Sequence, residues 1–199
     1  CFDVLTGFKF IGEKIKEWGA SGQYTFMFGY EESYGYLAGT HAKDKDAVVS
    51  AMLFAEMVCY YKSINVSIIE RLNELYKKFG YYVEKSISLT FKGLDGMQIM
   101  ADKMKKLANT KIIELDGIKV DYVSNYNDRI TIYEDGKVEK IELPKTNALY
   151  YALKSGDWVC ARPSGTEPKL KLYVSAAALS IEEAEEKAER LIAALGEYI

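Results

Sequence analysis

The sequence predicts part of a three-layer α/β domain over residues 1–79, followed by an α+β domain over residues 80–199, an antiparallel sheet with two helices on one face. Three observations carry that prediction. Before Gly80, helical apolar spacings flank one short, continuous apolar run of the kind that forms a buried strand. After Gly80, several stretches alternate polar and apolar residues and are separated by turn signals. Two further helical patterns, one inside that region and one at its end, supply cover for one sheet face.

Phe8, Ile11, Ile15 and Trp18 stand at helical spacing, and GASGQ (19–23) breaks the helix. YTFMFGY (24–30) reads as a strand buried on both faces. Asp44 or Asp46 caps a long helix running to about Tyr61, so apolar all round that it is expected to pack deeply. Ser67 caps IIERLNELYKKF, which Gly80 stops. In EKSISLTF (84–91), Ile87, Leu89 and Phe91 share one face. A helix from about Asp95 to Ala108 presents Met97, Met100, Met104 and Leu107 as core. Strands follow in ELDGIKVDYV, in RITIYEDGKVEKIEL with Asp135-Gly136 as hairpin turn, and in YYALKSGDWVCAR with Gly156 near its bend. The last helix opens with a Ser180/Glu183 capping box and lines one face with Ile181, Ala184, Leu191 and Leu195.

The 199 residues are 49% hydrophobic and 28% charged, enough for one sizeable core or two small ones. A net charge of −3 removes any general pull toward nucleic acid or anionic lipid. A tyrosine-rich sheet face is compatible with base stacking, yet the acidic balance argues against nucleic acid as a partner. Cys1, Cys59 and Cys160 are odd in number and far apart, which fits reduced thiols in a cytoplasm better than a disulfide framework or a metal quartet. The apolar run Ala47–Tyr61 is too short to span a bilayer and carries Glu56, so no membrane is expected as a partner. The opening residues lack both an initiating Met and a signal-peptide pattern, and they read as a piece of a longer polypeptide.

Two loops carry chemistry. In Arg162-Pro163-Ser164-Gly165-Thr166-Glu167-Pro168, Arg162 offers a planar fork matched to phosphate oxygens. Ser164 and Thr166 add hydroxyl donors, Gly165 leaves its backbone approachable, and two prolines stiffen the ends. Lys169 and Lys171 then point to one side of a strand while Leu170 and Leu172 point to the other. Composition alone fits a tight turn with a surface arginine equally well. The stretch is not a Walker A loop.

The second loop is FGYEESYGYLAGTHAKDKDA, beyond the C-terminal end of the expected buried strand, where α/β sheets place ligands. Glu31 and Ser33 are spaced to face one polyol, Tyr30, Tyr34 and Tyr36 offer flat surface to sugar rings, and Lys45 stands at a helix start. On chemistry alone a solvated Tyr/Gly turn with a helix cap is slightly preferred. His41, the only histidine, is expected to be simply exposed. No catalytic side chain and no metal cluster are assigned.

RPSGTEPKLKLY resembles the phosphate-binding loop of the phosphoglucomutase/phosphomannomutase family, the α-D-phosphohexomutases, and GYEESYGY resembles its sugar-binding loop, in the same order and at similar separation. LTGFKFIG and KDKDA extend the likeness, which implies the end of domain three (1–79) and domain four (80–199) of a four-domain enzyme. It implies that Glu31 and Ser33 bind sugar hydroxyls and that Lys45 lies near the phosphosugar. It further implies that Arg162, Ser164, Gly165 and Thr166 cradle the non-transferring phosphate, that Lys171 adds charge, and that Thr6 and Gly7 line the cleft. A phosphoserine donor and a D-G-D-G-D loop for Mg²⁺ belong to earlier domains, and neither motif occurs here. The implied reaction interconverts glucose 1-phosphate and glucose 6-phosphate through a bisphosphate, with EES favouring glucose over mannose or glucosamine phosphates. The chain alone is then expected to bind hexose phosphate without turnover and to depend on the missing N-terminal domains. The alternative is a stand-alone phosphosugar-binding or regulatory module.

Overall fold

The computed structural model describes residues 1–31 and 34–199. They divide into two compact units, Cys1–Glu74 and Leu75–Ile199, and the division falls inside a helix. The first is an α/β unit and the second an α+β unit.

The first unit contains α1 (Phe8–Ser21), a hairpin of β1 (Phe28–Glu31) and β2 (Gly35–Ala38), α2 (Ala47–Ser63) and most of α3 (Ile68–Phe79). α1 continues through Gly19, since one interior glycine costs only about 1 kcal/mol. It ends where Gly22 turns left-handed and donates its N–H to the Trp18 carbonyl. Asp46 is the cap of α2, with Oδ1 accepting from Val48 N and Val49 N at 2.9 and 3.1 Å. Ser67 and Glu70 form a reciprocal capping box at α3. The core is small: Phe8, Ile15, Phe26 and Leu37.

Two expectations fail here. Of the YTFMFGY run only the last three residues are strand, within β1, and although Phe26 is buried, Met27, Phe28 and Tyr30 are exposed. α2 buries none of its residues. An apolar run states that a segment requires cover, not which residues supply it. A hairpin of two four-residue strands is too small to cover a 17-residue helix.

The second unit contains β3 (Tyr81–Thr90), α4 (Gly96–Asn109), β4 (Glu114–Leu115), β5 (Ile118–Asn125), β6 (Ile130–Tyr133), β7 (Val138–Lys140), β8 (Leu149–Leu153), β9 (Trp158–Pro163), β10 (Lys169–Ala178) and α5 (Ile181–Gly196). The sheet runs β3-β10-β9-β8-β5-β6-β7, with β4 added against β5, and each pairing is antiparallel. One face packs Leu170, Leu172, Val174, Val159, Ala161 and Tyr151 against Met104 and Leu107 of α4 and Leu191 of α5. Ile87 shares the core-side face with Leu89, opposite the buried Leu172, as expected, but it and Met97 are left partly exposed. Ile87 lies on the edge strand, whose only described pairing is to β10, and Met97 in the first turn of α4.

One carboxylate inside this unit escaped sequence reasoning. Asp157, just before β9, is 2% exposed. It accepts from Ala177 N at 2.8 Å and from Ser155 Oγ at 2.5 Å, and it pairs with Lys187 of α5. It thereby ties β9, β10 and α5 at one point. Removing one member of a buried pair strands the other groups without partners. Asp157→Ala is therefore expected to lower unfolding free energy by about 3 kcal/mol, read from urea unfolding followed by Trp fluorescence. A loss well under 1 kcal/mol would show that the knot is dispensable.

Candidate functional site

The end of β9 and the start of β10 build the more sharply defined site. Arg162 and Lys171 are direct cross-strand partners in the antiparallel register. Alternation places both on the helix-free face, because Ala161, Leu170 and Leu172 fill the core with no exposed surface. Like charges directly opposite one another in a sheet are unfavourable. Among the described residues, nevertheless, neither cation has a hydrogen bond or an ion pair, although Arg162 is half-buried. Two apposed cations without an acidic partner among the described residues make the local potential positive.

The loop Ser164–Pro168 is held by its own backbone. Ser164 N donates to Lys169 O at 2.8 Å, and Phe91 N donates to Pro168 O at 2.9 Å. Ser164 Oγ accepts from Thr166 N and Glu167 N at 3.4 and 3.2 Å, so its acceptor side is engaged and its O–H remains available to donate. Ser164 thus shapes the turn as well as offering a donor. Lys169, which composition grouped with Lys171, is instead neutralised by Glu167. Gly165 is exposed, and a Cβ built there meets nothing within 4 Å, so its surroundings are open.

The first unit gathers a second set. Thr6, Gly7 and Glu31 line one cleft of about 530 Å³. Lys45 Nζ lies 3.6 Å from Glu31 Oε1 and 5.7 Å from the centre of the Phe8 ring. Asp44 holds the same ammonium at 3.2 Å, and that hydrogen bond, reinforced by Glu31, raises the Lys45 pKa above the usual lysine value. Lys45 stays charged through neutral pH. Ser33 lies outside the described residues. Tyr30, Tyr34 and Tyr36 are all exposed.

Glycines make this arrangement possible at two points that spacing did not reveal. A Cβ on Gly12 would sit 2.4 Å from the Lys43 carbonyl oxygen, so the loop carrying Lys45 lies directly on α1. A Cβ on Gly35 would sit 2.7 Å from both Glu31 Oε1 and the Lys45 side chain. His41 is exposed as expected but not idle: its Nε2 lies 3.0 Å from Asp46 Oδ2. That contact, followed by the Val49 and Val48 amides, lowers the Asp46 pKa and keeps the cap ionised.

Among the described residues no three His, Cys, Asp or Glu side chains converge. Among the described residues no cluster fits an Mg²⁺ ion. No single helix among them is long and apolar enough to cross a membrane.

The chain is thus an α/β unit followed by a helix-backed antiparallel sheet that carries a cationic rung where β9 meets β10. Residues 1–79 match the family described as phosphoglucomutase/phosphomannomutase, alpha/beta/alpha domain III, and residues 99–194 match its C-terminal domain. The chain belongs to the phosphoglucomutase/phosphomannomutase family. It is 33% identical to a phosphoglucomutase of Staphylococcus saprophyticus over 91% of this chain and 33% of that one. It is 37% identical to one of Staphylococcus haemolyticus over 87% of this chain and 31% of that one. The chain thus spans about a third of the length of these relatives. The solved open form of Paramecium pp63/parafusin, a phosphoglucomutase, covers 97% of this chain and 33% of its own, with TM-score 0.59 and 17% identity, a likeness of fold.

Cys160 shares the helix-free face with Arg162, two residues away, and burial pushes its thiol up to about 12 although Arg162 pulls the other way. Only the thiolate is nucleophilic, so Cys160 is expected to react slowly at pH 8. Brief iodoacetamide treatment at pH 8 is expected to add two groups, at the exposed Cys1 and Cys59. Rapid labelling of Cys160, seen by peptide mass, would make it a reactive group of the site instead.

Proposed function

We propose that this chain supplies the hexose- and phosphate-recognition part of a phosphohexomutase, the isomerase that interconverts glucose 1-phosphate and glucose 6-phosphate. The observation that carries the reading is the apposed pair Arg162 and Lys171, held on one sheet face without an acidic partner among the described residues. A phosphate dianion is the small ligand whose charge and planar oxygen pairs suit that rung. On this reading Arg162 grips two phosphate oxygens, Ser164 and Thr166 donate hydroxyls, Gly165 lets the ester approach, and Lys171 adds charge. Glu31 and Ser33 accept from sugar hydroxyls, Lys45 balances the charge of Glu31, and Thr6 and Gly7 line the cleft. The units are residues 1–79 for sugar and 80–199 for phosphate. The donor serine and the Mg²⁺ that disperses phosphoryl charge belong to the portion of its relatives that this chain does not span, in a cytoplasmic enzyme. A chain with recognition but no donor binds without turnover, which is also the behaviour of a stand-alone phosphosugar-binding module.

Titration of the 199-residue chain with glucose 1-phosphate and with inorganic phosphate, followed by amide NMR, is expected to shift Ser164–Thr166. Arg162→Ala is expected to lose roughly 1.5–3 kcal/mol of binding. Shifts that persist unchanged in the variant would remove the cradle. Gly165→Ala is expected to leave stability unchanged, since its Cβ meets open space, while weakening phosphate binding several-fold. Equal affinity for mannose 1-phosphate would end the preference for glucose.

A further inference from the structure

Lys169 and Lys171 stand on the same side of β10, yet the fold treats them differently. Lys169 Nζ donates to both carboxylate oxygens of Glu167, at 3.1 and 3.2 Å. Lys171 is exposed and, among the described residues, has neither a hydrogen bond nor an ion pair. Its cross-strand partner is Arg162. Side chains directly opposite one another in an antiparallel pair start about 4.5–5.5 Å apart at Cβ. An amine free of any carboxylate therefore stands beside the guanidinium of the phosphate cradle proposed above.

That juxtaposition suits one class of reactant, an acyl phosphate. Its anionic end offers the paired oxygens that an arginine fork takes. Its carbonyl carbon is joined to phosphorus through a single bridging oxygen, which brings it toward a nitrogen on the neighbouring strand. Holding two reactants side by side makes their encounter effectively unimolecular. The other nucleophiles near the rung are poorer. Burial pushes the Cys160 thiol up to about 12. Hydroxyls such as those of Ser164 and Thr166 are weak without an activating base, and Ser164 Oγ already accepts from two backbone amides.

We propose that Lys171 is an acylation site for acyl phosphates that dock by their phosphate on Arg162. The neutral Lys171 amine attacks the acyl carbon and a C–N bond forms. The bond from that carbon to the bridging oxygen breaks, inorganic phosphate leaves with its electron pair, and the proton of the nitrogen passes to water. No oxidant or reductant is consumed. The resulting amide carries no charge, so the rung keeps one cation of two and holds hexose phosphate less tightly. This inference rests on the phosphate reading of the loop and adds covalent control of the same site.

The test is incubation of the 199-residue chain with acetyl phosphate at pH 8, with acetylation of each lysine followed over time by peptide mass. Lys171 is expected to react about tenfold faster than Lys169. Inorganic phosphate should slow Lys171 selectively, and Arg162→Ala should remove its advantage. N-succinimidyl acetate, which carries no phosphate, should give a smaller ratio of Lys171 to Lys169, independent of Arg162. Lys171→Gln, an uncharged stand-in for the amide, should bind glucose 1-phosphate several-fold less tightly. Three outcomes overturn the proposal: Lys171 no faster than Lys169, the same ratio with both reagents, or an advantage that survives inorganic phosphate. If Arg162→Ala does not fold by circular dichroism, protection of the unaltered chain by phosphate decides. Amide shifts of Ser164–Thr166 on adding inorganic phosphate separate the two readings. Failure with those shifts intact removes acylation alone, and failure without them removes the cradle as well.

Discussion

The register of β9 against β10 is the constraint on which the apposed cations Arg162 and Lys171 depend. Side chains alternate along a strand, so a slip of one residue would turn Leu170, Leu172 and Ala161 outward and drive Arg162 and Lys171 into the core. Their burial with no exposed surface makes that slip very unfavourable. Asp157 extends the lock beyond the strand end by accepting from Ala177 N while it pairs with Lys187. The apposed cations are therefore a consequence of core packing on the opposite face. The sheet holds two like charges together because the hydrophobic cost of separating them is larger than their screened repulsion at the surface.

The first unit solves a related problem with less core. Its polar groups lie on short connections, and these are fixed by close backbone approach more than by burial. Gly12 lets the Lys43 carbonyl rest on α1, Gly35 makes room for Glu31 and Lys45, and Asp46 ties the end of the loop to α2. Glu31 is 12% exposed at its side chain, yet Lys45 lies close enough to compensate its charge while keeping its own ammonium half in water. Such a carboxylate keeps acceptor capacity for hydroxyls, as an ion pair at 3.6 Å does not use every lone pair.

What the sequence made legible follows from period and local chemistry. Alternation in KLKLYV placed the two leucines and Lys171 on opposite faces, and caps at Ser67 and Ser180 followed from residue type alone, while the choice between Asp44 and Asp46 needed the fold. Asp157 was not legible, since a carboxylate after Ser-Gly looks like an ordinary turn residue until α5 brings Lys187 to it. Gly12 and Gly35 were silent for a similar reason: their meaning lies in a neighbour distant in sequence. Lys169 looked like Lys171 by composition, and only the fold separates a cation paired with Glu167 from one left unpaired. The misread segments, Tyr24–Tyr30 and α2, share one cause. Apolarity measures the demand for cover, and the demand is met only as far as the residues present allow.

That cause also bears on how the two units differ energetically. The second unit buries a continuous core of side chains from both helices and most strands, so its site is preorganised before any ligand arrives. A ligand entering such a site loses little affinity to ordering of the protein. In the first unit a core of four buried apolar residues supports a site of comparable polarity, beside a long helix with none. Local opening free energy falls as buried apolar contacts thin out, so the connections carrying Glu31 and Lys45 belong to the part of the chain expected to open most readily. By raising the cost of local opening, cover over α2 would hold Glu31 and Lys45 in register with each other.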